Sequence, residues 1–376
     1  MICNRLNDYK YLKLYNMKPQ KIQIRMTLAV TLLIINVLFS PYSSAQKAKG
    51  NTKAAPAPAL TSAGISVADI NTALDEAYNK FVNVTEGKNA DYIKELANVD
   101  PKIFGIALVT TDGQVFTKGD IMSMVSIQSV SKAFVAAQVI EESGHQALQD
   151  KIGVDATGLK FNSIVAVEEH RGKEINPLVN PGAIAATSMV LGADSAAKWK
   201  SILNKQSEFA GRQLSLNMPV YISEAGDNLR NQAIAHLLLA YGRMYFDPAQ
   251  ATDIYTKQCA INVSAKDLAV MAGTLANGGV NPVTKKKVVS PETVMYTLPV
   301  LATAGLYDDS GIWFYNSGLP AKSGVGGGIM AVCPGKFGIA VVSPPLDDAG
   351  NSVKAQLAIK YIVEKLKADP YLIQPK

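Results

Sequence analysis

The sequence predicts an α+β domain in which both ends of the chain supply strands to one antiparallel sheet, with a helical block inserted between them. Three features point there. Short apolar runs bounded by turn residues fall at 104–117 and again at 318–342. The stretch from about 150 to 300 has mostly helical spacing, and an amphipathic segment, Ser352–Lys367, closes the chain. The chain has 376 residues, 48% of them hydrophobic and 18% charged, enough to fill a core and too apolar for a disordered protein. No repeat of 20–50 residues is present, so one two-lobed domain is more economical than two independent ones.

Taken in order, residues 1–45 read as a secretory leader. The basic stretch 18–25 runs into the apolar segment Met26–Ser40, followed by Ser43 and Ala45 at the −3 and −1 positions of a cleavage after Ala45. The apolar run is 15 residues long, short of the ~20 that span a bilayer comfortably. Export to the periplasm or medium is the expectation, with no stable membrane anchor after cleavage; an uncleaved N-terminal anchor is the alternative. Met17 and Met26 are alternative starts, and no cysteine follows the apolar run to carry a lipid. Residues 46–65 are rich in Ala, Pro, Lys and Ser without periodicity and read as a flexible linker to a catalytic domain at 66–370.

Within that domain an amphipathic helix is expected from Ala68 to about Val82, and a second containing Asp91–Ala97. Two strands, Phe104–Thr110 and Val115–Thr117, flank Thr111-Asp112-Gly113-Gln114, whose Asp-Gly is a strong hairpin signal. A helix follows Ser129 through Ala133–Glu142 and stops at Gly144. The helical middle carries long loops around Asn176–Gly182 and Ser223–Asn228. Strands return at Gly318–Ser323, Gly328–Cys333 and Gly338–Val342. The closing helix is apolar at Ala355, Leu357, Ile359, Ile362 and Leu366.

Charge and cysteine content exclude several classes. The formal charge is +6, but residues 1–45 hold six of the 37 bases and one of the 31 acids, leaving 31 against 30 elsewhere. A nearly neutral body offers no electrostatic footprint for nucleic acid. Of three cysteines, Cys3 leaves with the leader; Cys259 and Cys333 could pair, although nothing in their spacing argues for it. His145, His170 and His236 stand far apart without Cys-x-x-Cys or His-x-x-x-His companions, so no metal site and no cofactor are expected.

The chemistry concentrates in two places. Ser129-x-x-Lys132 lies at a helix start, and a spacing of three puts both side chains on one face. A helix N-terminus lowers the pKa of a nearby lysine, so its amine can take the serine proton. Alone this pair is unspecific. The late element Lys322-Ser323-Gly324 followed by Val325 and glycines is strand-like and can offer backbone N–H groups to an oxyanion. Early Ser-x-x-Lys with late Lys-Ser/Thr-Gly is the layout of serine acyl-transfer enzymes. A phosphate-binding loop needs Gly-x-x-x-x-Gly before Lys-Ser, whereas here the glycines follow.

Several long blocks extend this layout. They are Ser126-Ile-Gln-Ser129-Val-Ser-Lys132, Asn176-Pro-Leu-Val-Asn180-Pro-Gly-Ala-Ile184, Ser223-Glu224 with Arg230-Asn231, Tyr255-Thr-Lys-Gln-Cys259, Gly318–Val325 and Ser343–Val353. In that order they resemble the serine-dependent glutaminases over roughly residues 66–365. The resemblance implies a β-lactamase/transpeptidase-like fold and hydrolysis of L-glutamine to L-glutamate and ammonia through a serine acyl-enzyme. It implies Ser129 as nucleophile, Lys132 as its base, and Tyr255 and Tyr307 as proton relays. The N–H groups of Ser129 and Val325 would bind the oxyanion; Tyr92, Asn180, Glu224 and Asn231 would hold the substrate. It also implies a homodimer or homotetramer.

Physical chemistry supports that division. Glu224 suits an α-ammonium, while Asn180, Asn231 and tyrosine hydroxyls bind carboxylate or amide without adding charge. Lys322 either tunes the nucleophile's field or braces its strand. The sequence departs from the family in two places: Val125 stands where Phe is usual, and Pro181 replaces the common Ala and restricts Asn180 to extended backbone. The end at Lys376 leaves no room for the ankyrin or anion-transporter-like modules that some relatives append. Two other classes compete with this reading. A penicillin-binding or β-lactamase activity shares the nucleophile layout but expects a central Ser-Asp-Asn, which is missing. A non-catalytic glutamine-binding module would have a broken nucleophile pair, and here Ser129, Lys132 and both tyrosines are intact.

Overall fold

The computed structural model describes residues 60–62, 64–171, 175–373 and 375. The expected leader and most of the expected linker lie outside the described residues. Leu60 bridges to Ser66, and the Ser62 N–H donates to Asp112 Oδ2, so the last linker residues lie against the domain.

The main sheet contains β1 (Gly105–Thr110), β2 (Val115–Gly119), β5 (Ala321–Gly324), β6 (Gly328–Cys333) and β7 (Phe337–Val342), in the order β2-β1-β7-β6-β5. Every pairing is antiparallel, so the C-terminal strand β7 seats beside the N-terminal β1 in the middle. That order requires the helical block to leave the sheet after β2 and return at β5. A two-stranded ladder, β3 (Val125–Ser126) with β4 (Asn262–Val263), ties the segment that precedes Ser129 to the end of the block. The sequence pattern does not show it, because two residues are too short for period-two alternation.

The central strands β1, β7 and β6 are buried at every position because both faces are covered. Ile106, Leu108, Ile339 and Val341 pack with the helices Val67–Phe81 and Val353–Lys365. Ala107, Val109, Ala340 and Val342 face the helix Ala265–Ala276. There the backbones nearly touch: a Cβ on Gly338 would lie 2.0 Å from the Gly273 nitrogen. A third core fills the helical lobe, around Val139, Ile184, Ile234 and Ile254.

Most expected elements form at their expected places, and three differ. The second helix is only Lys94–Ala97, because the preceding segment is held extended by the Lys88–Leu346 bridge. The Asn176–Gly182 loop stops at Val179, and Asn180 opens the helix Asn180–Met189, with Val179 carrying the extended backbone assigned to Asn180. Pro181 suits that first turn, where its missing N–H would have no partner. The Ser223–Asn228 loop is likewise shorter, since Ser223 and Glu224 belong to the last turn of the helix Met218–Gly226. In the closing helix Ala355, Ile359 and Ile362 are buried, while Leu357 and Leu366 are half-buried. No helix among the described residues is long and apolar enough to cross a membrane.

Candidate active site

Ser129 lies in a single 3-10 turn, Gln128–Val130, that leads directly into the helix Ser131–Ser143. The turn is forced. Gln128 has φ 49°, a left-handed conformation that a side chain rarely adopts, and the Ser131 hydroxyl caps its carbonyl at 2.7 Å. Both Ser129 and Lys132 are buried.

Lys132 Nζ lies 2.8 Å from Ser129 Oγ and donates to Asn180 Oδ1 at 2.7 Å. Burial lowers the Lys132 pKa to about 8. The free amine is therefore more accessible near neutral pH than for an exposed lysine, a form able to accept a hydroxyl proton. Asn180 is the hub of this cluster. Its Oδ1 also accepts from the Tyr255 hydroxyl at 3.1 Å, and its Nδ2 donates to Asn231 Oδ1 at 3.1 Å.

The second lysine behaves differently. Lys322, wholly buried on β5, donates to the carbonyls of Gly305 and Ser323, both at 2.8 Å, and sits 4.2 Å from the Tyr307 ring centroid. Burial, with the charge of Lys132 nearby, pushes its pKa well down. Lys322 therefore braces the turn at Gly305 and the face of Tyr307; no hydrogen bond joins it to Ser129. Tyr307 occupies a left-handed position, φ 55°, and its hydroxyl donates to the Ser323 carbonyl at 3.4 Å.

Gly324, Val325 and Gly326 press against the Gln128–Val130 turn. A Cβ on Gly324 would stand 3.2 Å from the Ser129 nitrogen, and one on Gly326 would stand 2.2 Å from the Ser126 carbonyl. The absence of side chains at 324 and 326 lets the Val325 backbone approach the Ser129 N–H, the two donors expected to face an oxyanion.

Above this cluster lies a pocket of about 250 Å³ lined by Ser129, Asn180, Glu224, Asn231, Tyr255 and Val325, with Tyr92 at its mouth. All of the candidate substrate residues except Tyr307 line it. Tyr92 is 61% exposed and completes the wall from outside. Glu224 is half-buried, and Gln128 Nε2 donates to its Oε2 at 3.0 Å. Burial raises the Glu224 pKa to about 7, tempered by that hydrogen bond and by Lys132. A carboxylate kept at the edge of ionisation is stabilised by an arriving ammonium.

Sequence reasoning missed Gln128, Phe161 and Cys259. Gln128 holds both Glu224 and, at 3.1 Å, Ser126 Oγ. Its place beside Ser129 was a usable signal; its backbone strain was not. Phe161 packs on Tyr307 with ring centroids 4.9 Å apart and lines the pocket. Cys259 also lines the pocket, one turn after Tyr255, with its thiol pushed up to about 12 by burial. Cys259 and Cys333 are both free, so the disulfide left open by the sequence does not form. Among the described residues no group of three or more His, Cys, Asp or Glu side chains is arranged to hold a metal.

Removing the Glu224 charge tests its part in recognition. Glu224→Gln is expected to raise KM for a substrate carrying an α-ammonium far more than it lowers kcat. In the wild type, protonation below about pH 7 removes the ammonium's partner, so KM should climb as pH falls from 8 to 6. Equal losses in kcat and KM, or a flat KM across that range, would assign Glu224 another role.

A family model described as Glutaminase matches residues 87–371. A glutaminase of Colwellia psychrerythraea is 53% identical over 300 residues, covering 80% of this chain and 96% of that protein. A glutaminase of Brucella suis biovar 1 is 50% identical over 307 residues, covering 82% and 97%. Among solved structures, a probable glutaminase, ybaS, superposes with a TM-score of 0.81 at 44% identity over 82% of this chain and all of that one. A probable glutaminase from Bacillus subtilis complexed with 6-diazo-5-oxo-L-norleucine gives 0.71 at 25% identity over 81% and 96%.

Proposed function

Since the chain belongs to the glutaminase family and hydrolyses L-glutamine to L-glutamate and ammonia, we propose that it does so through an acyl-enzyme on Ser129. The observation that carries this reading is the 2.8 Å contact of Ser129 Oγ with a buried lysine whose pKa is about 8. The free amine of Lys132 takes the Ser129 proton as Oγ bonds to the side-chain amide carbon. The oxyanion so formed is met by the Ser129 and Val325 N–H groups. The C–N bond then breaks, and the proton held by Lys132 passes to the leaving nitrogen, with Tyr255 or Tyr307 as relay, so that ammonia departs. Water adds to the γ-glutamyl ester, its proton returns through Lys132, and the ester C–O bond breaks to free glutamate and Ser129. Glu224 holds the α-ammonium. Asn180, Asn231 and Tyr92 orient the rest of the amino acid.

A partition experiment tests the ester. With hydroxylamine added, the γ-glutamyl group should divide between glutamate and γ-glutamyl hydroxamate in a ratio set only by hydroxylamine concentration, the same for glutamine and for a γ-glutamyl ester substrate. Ratios that differ between the two substrates would mean that no common acyl intermediate forms.

Outside the site, the leader pattern supports export and an N-terminus near Gln46, hence a periplasmic or secreted enzyme. The resemblance to the glutaminases supports self-association as a homodimer or homotetramer. Intact mass and sedimentation of protein recovered from its native cells should give the shortened chain and a dimer or tetramer. A chain retaining Met26–Ser40, or a monomer, would contradict the respective half of this reading.

A further inference from the structure

A larger cavity, about 740 Å³, lies on the other side of the segment that delivers Tyr92. Its volume falls in the range of small-molecule sites. Val82, Val84, Ala97, Pro101 and Pro345 give it apolar walls. Its charged lining is biased toward the cation: Lys102 and Lys354 face the single carboxylate of Asp91, which Lys88 already pairs.

Lys354 is the unusual member. It is only 4% exposed, yet no ion pair joins it to a carboxylate among the described residues. Its one hydrogen-bond acceptor is the Val82 carbonyl at 3.2 Å, and the Phe104 ring centroid lies 5.5 Å from Nζ, so no anion neutralises the ammonium. The Val82 carbonyl belongs to the C-terminal cap of the helix Val67–Phe81, a favourable contact for a cation. Against that, Lys354 stands in the first turn of the helix Val353–Lys365, whose N-terminus repels a cation and attracts an anion. Asp120 acts on Lys354 from a distance, but its Oδ2 already accepts from the Phe104 N–H. A buried cation that no carboxylate pairs, set beside apolar walls, forms a site with an unmet demand for an anion.

We propose that this cavity binds a small organic anion with an apolar body, its acid group on Lys354 and its body against Val84, Ala97 and Pro101. The wall of the cavity continues through Lys88 and Asp91 into Tyr92, so occupancy changes the placement of Tyr92 and hence KM for glutamine, leaving kcat in place. That second half rests on the assignment of Tyr92 to substrate binding; the first does not.

Binding of 4-(trifluoromethyl)benzoate, followed by fluorine NMR, tests the site. The full chain should show saturable binding that survives prior inactivation by 6-diazo-5-oxo-L-norleucine, since the cavity is separate from Ser129. Lys354→Met should weaken it at least tenfold while leaving kcat with glutamine within about twofold. Ala97→Trp, which fills the cavity from the opposite wall, should abolish it, and the neutral 4-(trifluoromethyl)benzamide should bind at least tenfold more weakly. No saturable binding, binding unchanged in both variants, or binding lost on inactivation would overturn the site. Saturating benzoate that leaves KM unchanged would overturn the coupling to Tyr92 alone.

Discussion

Alanine at Ser129 or at Lys132 is expected to lower kcat for glutamine by at least about 10⁴-fold, and the double variant is expected to be little worse than either single one. Groups that act as one unit are strongly non-additive, because removing either leaves the other nothing to do. The geometry makes them such a unit, with Nζ and Oγ 2.8 Å apart and both side chains buried. Neighbouring serines serve as controls. Ser126 Oγ accepts from Gln128, and Ser131 Oγ donates to the Gln128 carbonyl, so neither hydroxyl is directed at the lysine. Ser126→Ala and Ser131→Ala should keep activity within about tenfold, the loss reflecting a looser Gln128 turn. Additive losses in the double variant, or near-complete loss in Ser131→Ala, would break the assignment.

Asn180→Asp is expected to have the second largest effect, with a sign that the geometry dictates. Asn180 Oδ1 receives a hydrogen bond from Lys132 Nζ at 2.7 Å. A carboxylate in that place stabilises the ammonium form and should raise the Lys132 pKa by about 1–3 units. The free amine then becomes scarce at pH 7, and kcat should fall by about 10- to 1,000-fold. The acid limb of the kcat profile, expected near pH 8 in the wild type, should move upward, with activity partly recovered at high pH. Asn180→Ala removes the acceptor without adding charge, so its acid limb should stay or move down. Equal displacement in both variants would mean that Asn180 acts on substrate alone.

These two sites also mark how far the sequence could be read. The Ser129–Lys132 pair is legible because its spacing is local: a step of three residues, from the 3-10 turn into the first turn of the helix, brings the two side chains together whatever the rest of the chain does. The strands are legible for a similar reason, since Asp112-Gly113 specifies a tight turn and apolar runs flank it; Gly113 takes φ 97° there. Asn180 is different. It meets Lys132 across 48 residues and Tyr255 across 75, and only packing of the helical lobe joins them. The family blocks pointed to Asn180 as a substrate residue, whereas its bond to Lys132 became visible only in three dimensions.

Breaker residues misled the reading of the two middle loops. Pro181 and Gly182 look like loop composition, but Pro181 sits in a first helical turn, and a Cβ on Gly182 would lie 1.9 Å from the Asn176 carbonyl. The glycine therefore permits a close approach of helix and preceding chain. Gly226 ends its helix, and Glu224 is consequently on a helical turn facing Gln128. The left-handed backbone of Gln128 and Tyr307 has no sequence signal at all, because neither residue prefers it.

The central claim is that Ser129 becomes covalently bonded to the substrate's side-chain carbonyl carbon. The most direct measurement is peptide mapping by mass spectrometry after reaction with 6-diazo-5-oxo-L-norleucine, a glutamine analogue with an electrophilic carbon in place of the amide nitrogen. The account predicts a single adduct on Ser129 in the wild type, formed in step with loss of activity, prevented by excess glutamate and absent from Ser129→Ala. An adduct on Ser131, Cys259 or Tyr255, or full labelling of Ser129→Ala, would contradict it.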